Sequence, residues 1–253
     1  MNTKIKVLVF SLLVCAGLLG FGMYGVTVTN GTEKMNIVLM GPPGSGKGTL
    51  AAKLSEKTQL PVLTVSTVLK KAMQTDPGLA EEVQALMDAG KFVSDEVIEQ
   101  VLSKELQDEQ YQGGVIFDGF PRTVAQTQFF DKNQMVIEYM VVLEVDSEVI
   151  VERMAGRRVH LPSGRMYHIT HNPPQVEGID DVTGEPLSQR ADDDPAIVRR
   201  RLDDYDLLTA PVLSWAKDSL EKGQVVKHML YVDGTQLIDQ VFAEVSQALV
   251  VNH

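Results

Sequence analysis

The sequence predicts an α/β fold built on a doubly wound parallel sheet, and three observations carry that prediction. Short apolar runs at 36–40, 61–65, 114–117, 139–145 and 227–232 alternate with stretches of helical pattern such as 94–108, 147–158 and 237–250. The first run leads directly into the turn Gly41-Pro42-Pro43-Gly44-Ser45-Gly46-Lys47-Gly48-Thr49, which opens the helix-like Leu50-Ala51-Ala52-Lys53-Leu54-Ser55-Glu56-Lys57. Later a polar segment containing glycine and proline, 157–190, interrupts the alternation. A connection of that length carries function or forms a small unit of its own, here one of compact β-hairpins.

Composition bounds the answer. Of the 253 residues, 44% are hydrophobic and 23% charged, which suits one core domain with insertions. A net charge of −11 argues against a general nucleic-acid binder, so positive charge for an anionic ligand must be concentrated locally. The single cysteine, Cys15, excludes an intrachain disulfide and a multi-cysteine metal site.

Residues 1–34 read differently from the rest. Lys4 and Lys6 precede an uncharged, mainly apolar stretch, 7–28, and then the polar linker Thr29-Asn30-Gly31-Thr32-Glu33-Lys34. This is the outline of a signal peptide or signal anchor, long enough to span a bilayer, with the lysines favouring an inside N-terminus. The competing reading takes Met35 as the true start, because the first core strand begins there. A cytoplasmic protein follows from the second reading and a membrane-anchored one from the first.

The turn at 41–49 has a physical purpose. Its four glycines let the backbone fold tightly and aim successive N–H groups at one anion, with the helix N-terminus adding partial positive charge. Lys47 reaches the outer phosphates of such a ligand. The spacing meets Gly-x-x-x-x-Gly-Lys, although Gly48 stands where a hydroxyl residue usually follows and the hydroxyl comes at Thr49. Val115-Ile116-Phe117-Asp118 is an apolar strand ending in a carboxylate, the form that helps hold Mg²⁺ beside a triphosphate. After it, Gly119-Phe120-Pro121-Arg122-Thr123 offers a guanidinium, and Gln126 lies one helical turn beyond Arg122. A cation and an amide so spaced can engage the phosphate and the base of one ligand.

Together these residues resemble an adenylate kinase of the long bacterial type. The resemblance rests on the segments 41–49 and 118–123, on Met87-Asp88-Ala89-Gly90-Lys91 with Val93, and on the long insertion, and it runs from about Met35 to Val250. It implies a catalytic domain over 35–253 with a helical nucleoside-monophosphate region at 64–93 and a lid at 157–190, a monomer, Mg²⁺ with ATP, and AMP and ADP as the other ligands. ATP contacts are implied for Gly44, Ser45, Gly46, Lys47, Gly48, Thr49, Arg153, Arg157 and Gln236. AMP contacts are implied for Val65, Lys70, Val93, Gly119, Arg122, Gln126, Arg190 and Arg201, with Mg²⁺ near Thr49 and Asp118.

The arginines of the insertion complete the implied site. Arg153 and Arg157, four apart, are expected on one helix face, and Arg201 on a helix started by Asp194 and Pro195 as N-cap and first-turn residue. In the family resembled, positions matching Arg153, Arg157, Arg190 and Arg201 surround the transferring phosphoryl group and the adenine of ATP. With Lys47 and Arg122 they form the implied catalytic set. Asp192 and Asp193 are expected either to bind a lid arginine or to cap the following helix. Some related lids hold zinc with four cysteines; here His160, Ser163, Asp180 and Thr183 stand at those positions, so a hydrogen-bonded polar cluster and no zinc are expected. His168 and His171 supply too few ligands for a metal.

The acceptor side departs from the family. Thr64-Val65-Ser66-Thr67-Val68-Leu69-Lys70 stands where relatives have a threonine at the second position and an arginine at the seventh, and Gln236 replaces a common lysine. Lysine keeps the charge of arginine without its planar fork. The expected reaction is Mg·ATP plus AMP giving two ADP. Val65 and Lys70 leave open another nucleoside monophosphate as acceptor, and with the leader they leave open a membrane-tethered ATP-binding protein with weak catalysis.

Overall fold

The computed structural model describes residues 34–88 and 93–251. The leader reading on 1–34, apart from Lys34, and the Ala89-Gly90-Lys91 part of the third motif lie outside the described residues. Five parallel strands form the central sheet: β1 (Met35–Met40), β2 (Val62–Thr64), β3 (Gly114–Asp118), β4 (Ile137–Glu144) and β7 (Val226–Asp233), in the order β2-β3-β1-β4-β7. The order reverses at β1, so β1 and β3 open a crevice at their carboxyl ends, where ligands gather in such sheets.

Both faces of the sheet are covered, which is why its strands read as continuous apolar runs. Ile37 and Leu39 of β1 point to one face, with Ile116, Tyr139 and Val141, and meet Leu50, Ala51 and Leu54 of α1 (Lys47–Thr58) and Val241, Val245 and Leu249 of α9 (Ile238–Val251). Val38 and Met40 point to the other, where Phe117, Phe120, Phe129 and Phe130 form a cluster with ring centroids 5.3–5.9 Å apart. That layer is closed by α4 (Asp95–Glu105), α5 (Val124–Lys132) and α8 (Ala210–Glu221).

Two insertions leave this core. Between β2 and β3 run α2 (Val65–Thr75), α3 (Pro77–Asp88) and α4. Between α6 (Ser147–Gly156) and α7 (Pro195–Asp204) lies the segment expected to form hairpins, where β5 (Arg157–Val159) pairs antiparallel with β6 (Met166–His168) and bridges join Val159 to Ser188 and Ile179 to Pro186. A π-helical turn, Tyr205–Thr209, links α7 to α8.

Two boundaries differ from expectation. Val65 opens α2 instead of ending β2, and its side chain packs against the aromatic layer. Helix α6 stops at Gly156, short of Arg158, because the hairpin segment expected as a lid takes over: Ile169 N–H donates to the Gly156 carbonyl at 3.0 Å, and Arg157 is extended (φ −67°, ψ 138°). A side chain at 156 is also impossible without rearrangement, since its Cβ would lie 2.4 Å from His168 Nε2. Arg153 and Arg157 therefore do not share a helix face: the first is on α6 and the second begins β5.

Candidate active site

The glycine-rich turn sits at the carboxyl end of β1 and delivers Lys47 as the first residue of α1. Gly46 caps that helix in the left-handed region (φ 98°), and Gly44 (φ 83°) lies so close to α6 that a Cβ would be 2.9 Å from Met154 Sδ. Lys47 Nζ donates to the carbonyl oxygens of Gly41 at 2.7 Å and Pro42 at 2.8 Å, so the loop wraps its own cation. Gly48 lies beside Asp118: its Cβ position is 3.4 Å from Asp118 Oδ2. With no side chain there, the hydroxyl of Thr49 is the oxygen donor on this first turn.

Charge makes the site distinctive. Burial pushes the Lys47 ammonium down to about 8, against the pull of Asp118, while Arg122 and Arg201 add to the fall. Burial pushes the Asp118 carboxyl up, opposed by Lys47 and Arg122. Burial, then repulsion from Arg201, lowers Arg122. Lys47, Asp118, Arg122 and Arg201 are thus close enough to influence one another, with Asp192 paired to Arg201 at the edge of the group. In a chain of net charge −11 this is a local positive well, matched to a polyphosphate anion.

Around it the remaining arginines are held by carboxylates and carbonyls. Arg157 forms a two-pronged pair with Asp193, whose side chain is fully buried. Asp192 accepts from Arg201 Nη1 at 2.8 Å and lies 3.3 Å from Arg190 Nε. Both aspartates bind arginines, and Asp194 is the cap, accepting from Ala196 and Ile197 N–H as its position before Pro195 requires. Arg153 instead docks on the end of β7, donating to the Gly234 carbonyl at 2.7 Å and the Thr235 carbonyl at 2.9 Å. Gly234 in turn approaches the phosphate loop, its Cβ position lying 3.4 Å from the Ser45 carbonyl oxygen. Gln236 follows, half-buried.

On the side of α2 and α4, Gly119 (φ 76°) carries the Arg122 guanidinium, whose Nε donates to the Gly119 carbonyl at 2.9 Å. Gln126 is 4% exposed, and its Oε1 accepts from Arg122 N–H at 2.7 Å. Val93 is half-buried in the connection before α4, and Lys70 is exposed on α2 without an ion pair among the described residues. Two contacts had no sequence signal strong enough to mark them. Asp95 accepts from Gln126 Nε2 at 2.7 Å, and Thr209 on the π-helical turn donates to the Arg122 carbonyl at 2.9 Å. Asp95 reads in sequence as one more acid in a first helical turn, and a π-turn has no motif.

The 157–190 segment has its own polar centre. His160 is buried, with Nδ1 2.6 Å from Ser163 Oγ and Nε2 2.6 Å from Glu185 Oε2. Thr183 Oγ1 donates to Asp180 at 2.9 Å, so the four residues expected to cluster do so. Arg165, Tyr167 and Glu185 join them: Arg165 pairs bidentately with Asp180 at 2.7 and 2.8 Å, and Tyr167 donates to it at 3.0 Å. These bonds hold the Asp180 carboxyl well below the usual carboxylate range, Arg165 contributing most. The rings of His168 and His171 lie 4.5 Å apart, and His168 Nδ1 accepts from Thr170 and His171 N–H, each at 3.1 Å.

Among the described residues no helix is long and apolar enough to cross a membrane. The glycine-rich turn at the switch point faces the strand-end carboxylate Asp118, with the arginines of the 157–190 segment and α7 beside them. A family model described as Adenylate kinase matches residues 39–232. This chain belongs to the adenylate kinase family.

Proposed function

We propose that the protein catalyses reversible transfer of the γ-phosphoryl group of ATP to AMP, giving two ADP. The observation that carries this reading is the meeting of the glycine-rich turn and Lys47 with Asp118 and Arg122 at the carboxyl ends of β1 and β3, Gly48 lying against Asp118, with Arg201 of α7 near enough to depress Lys47 and Arg122. Family membership supports phosphoryl transfer to a nucleoside monophosphate, and AMP as the acceptor is our extension of it.

In this reading the loop amides of Gly44, Ser45, Gly46, Gly48 and Thr49 take the β-phosphate, and Lys47 exchanges its two loop carbonyls for donor oxygens. Arg122 and Lys70 hold the AMP phosphate, and Gln126, Gly119, Val65 and Val93 form the wall of its pocket. An AMP phosphate oxygen attacks the γ-phosphorus as the bond to the β-bridging oxygen breaks, and the electron pair leaves with ADP. The acceptor is already anionic, so no general base is required, and positioning with charge neutralisation carries the rate. Arg157, Arg190 and Arg201 leave their aspartate partners to meet the equatorial oxygens, while Arg153, anchored on Gly234 and Thr235, borders the ATP base beside Gln236. Closure of the lid excludes water, which suppresses hydrolysis of ATP.

The donor set of Thr49 hydroxyl and Asp118 carboxylate is hard and sparse, which fits Mg²⁺ held chiefly by phosphate oxygens and water. When bound, that ion supplies positive charge to the β- and γ-phosphoryl oxygens. A cytoplasmic monomer completes the reading. The test is a panel of acceptors with ATP and Mg²⁺. AMP is expected to give the highest kcat/KM, and faster turnover of GMP, CMP or UMP would replace it with another nucleoside monophosphate, the alternative that Lys70 keeps open.

A further inference from the structure

We infer that Asp95 is a positioning residue that sets base discrimination at the acceptor site by fixing the orientation of the Gln126 side-chain amide; this rests on the adenylate reading above. Gln126 is almost wholly buried, and its amide is spanned by a donor at one end and a carboxylate acceptor at the other. At one end the Arg122 backbone N–H, which can only donate, lies 2.7 Å from Oε1. At the other the Asp95 carboxylate, which can only accept, lies 2.7 Å from Nε2. Turning the amide over would set two donors against each other at Arg122 and two acceptors at Asp95, so a single orientation survives.

That orientation leaves a defined remainder: one lone pair on Oε1 and one N–H on Nε2. A base edge that meets it must offer a donor to Oε1 and an acceptor to Nε2. Adenine does so with its 6-amino group and N1, whereas a 6-oxopurine in the same pose presents an acceptor and an N1–H donor, the reverse order. The polarity of Gln126 therefore separates the two, and Asp95 fixes it together with the Arg122 N–H. Asp95 is well placed to do so. It is the first residue of α4, where the helical insertion returns to the core, and its other oxygen accepts from Thr123 Oγ1 at 3.4 Å, the hydroxyl that caps α5.

The experiment compares AMP with inosine monophosphate, which differs at the 6-position and N1 alone, in the wild-type chain and in Asp95→Asn and Asp95→Ala. In the wild type AMP is the better acceptor. In Asp95→Asn an amide can follow a reversed Gln126, and in Asp95→Ala the Arg122 N–H alone opposes reversal. Both variants should lower the ratio of kcat/KM for AMP to that for inosine monophosphate by roughly 10-fold, chiefly through KM for AMP, with KM for ATP unchanged. A ratio unchanged from wild type overturns the inference, as does a loss that falls equally on both acceptors, the signature of a merely structural role. A wild type that prefers inosine monophosphate overturns the adenylate reading itself, and that arm is read before the variants.

Discussion

Arg201 Nη1 lies 2.8 Å from Asp192 Oδ2, so an arginine of the proposed phosphate site rests on a carboxylate that a phosphoryl group would displace in the proposed reaction. Both side chains are more than a third exposed, whereas in the neighbouring pair Asp193 is fully buried and Arg157 is 18% exposed. Exposed pairs contribute little, and breaking a buried pair strands a charge. Asp192→Asn should shift unfolding stability by less than about 1 kcal/mol. Asp193→Asn should remove about 3 kcal/mol. Urea midpoints of the two variants check this, and equal losses would contradict the assignment.

Lys47 gives the activity a pH limb. Its ammonium, pushed down to about 8 by burial, is charged in the free protein below that pH and loses its proton above it. kcat/KM for ATP reports the free protein, so it should fall above about pH 8. With ATP saturating, the triphosphate keeps the ammonium protonated, and kcat/KM for AMP should lack this limb. For stability the sign is opposite. Between about pH 8 and the ordinary lysine value of 10.5 the unfolded chain holds a proton that the folded chain has lost, so this group's contribution rises with pH across that window.

The junction of α6 with the proposed lid depends on a missing side chain. Gly156→Ala places a methyl 2.4 Å from His168 Nε2 and 2.5 Å from Cε1, where β6 folds back on the end of α6. Overpacking of this kind costs about 1–3 kcal/mol. Amide exchange within 157–190 should quicken, with β1 and β4 unaffected; unchanged exchange in the lid would show that the ring moves freely aside.

Acid should loosen the same lid from within. Asp180 is held below its ordinary value by Arg165, Thr183 and Tyr167, so its stabilising contribution is fully present above the unfolded carboxylate value, about 4, and declines as pH falls below it. Lid exchange in the wild type should accelerate below about pH 4. In Asp180→Asn it should be fast at neutral pH and much less sensitive to acid.

Lys70 is open to improvement. A planar fork binds a phosphate through two parallel bonds where an ammonium gives a point charge, so Lys70→Arg should lower KM for AMP by about 10-fold and leave KM for ATP unchanged. A raised KM for AMP would mean that the site is built around the lysine.

The sheet and phosphate loop were legible in sequence because both are local patterns: apolar runs of strand length, and a glycine spacing that only a tight strand-to-helix turn requires. The lid cluster was legible in part. His160, Ser163, Asp180 and Thr183 were found by matching positions, but Arg165, Tyr167 and Glu185 join through the hairpin register. The end of α6 was misplaced because helical spacing continues through Arg157, and the tertiary contact of His168 with Gly156 decides otherwise. Asp95 and Thr209 stayed hidden for the same reason, being 31 and 87 residues from the groups they hold.

The most direct test of the central claim is the stoichiometry of ADP formation from ATP and AMP with Mg²⁺, over a wide range of AMP, beside Lys47→Ala. The account predicts two ADP for each AMP consumed and near-complete loss of activity in Lys47→Ala. Absence of AMP-dependent ADP formation at saturating AMP, with ATP still bound, would contradict it.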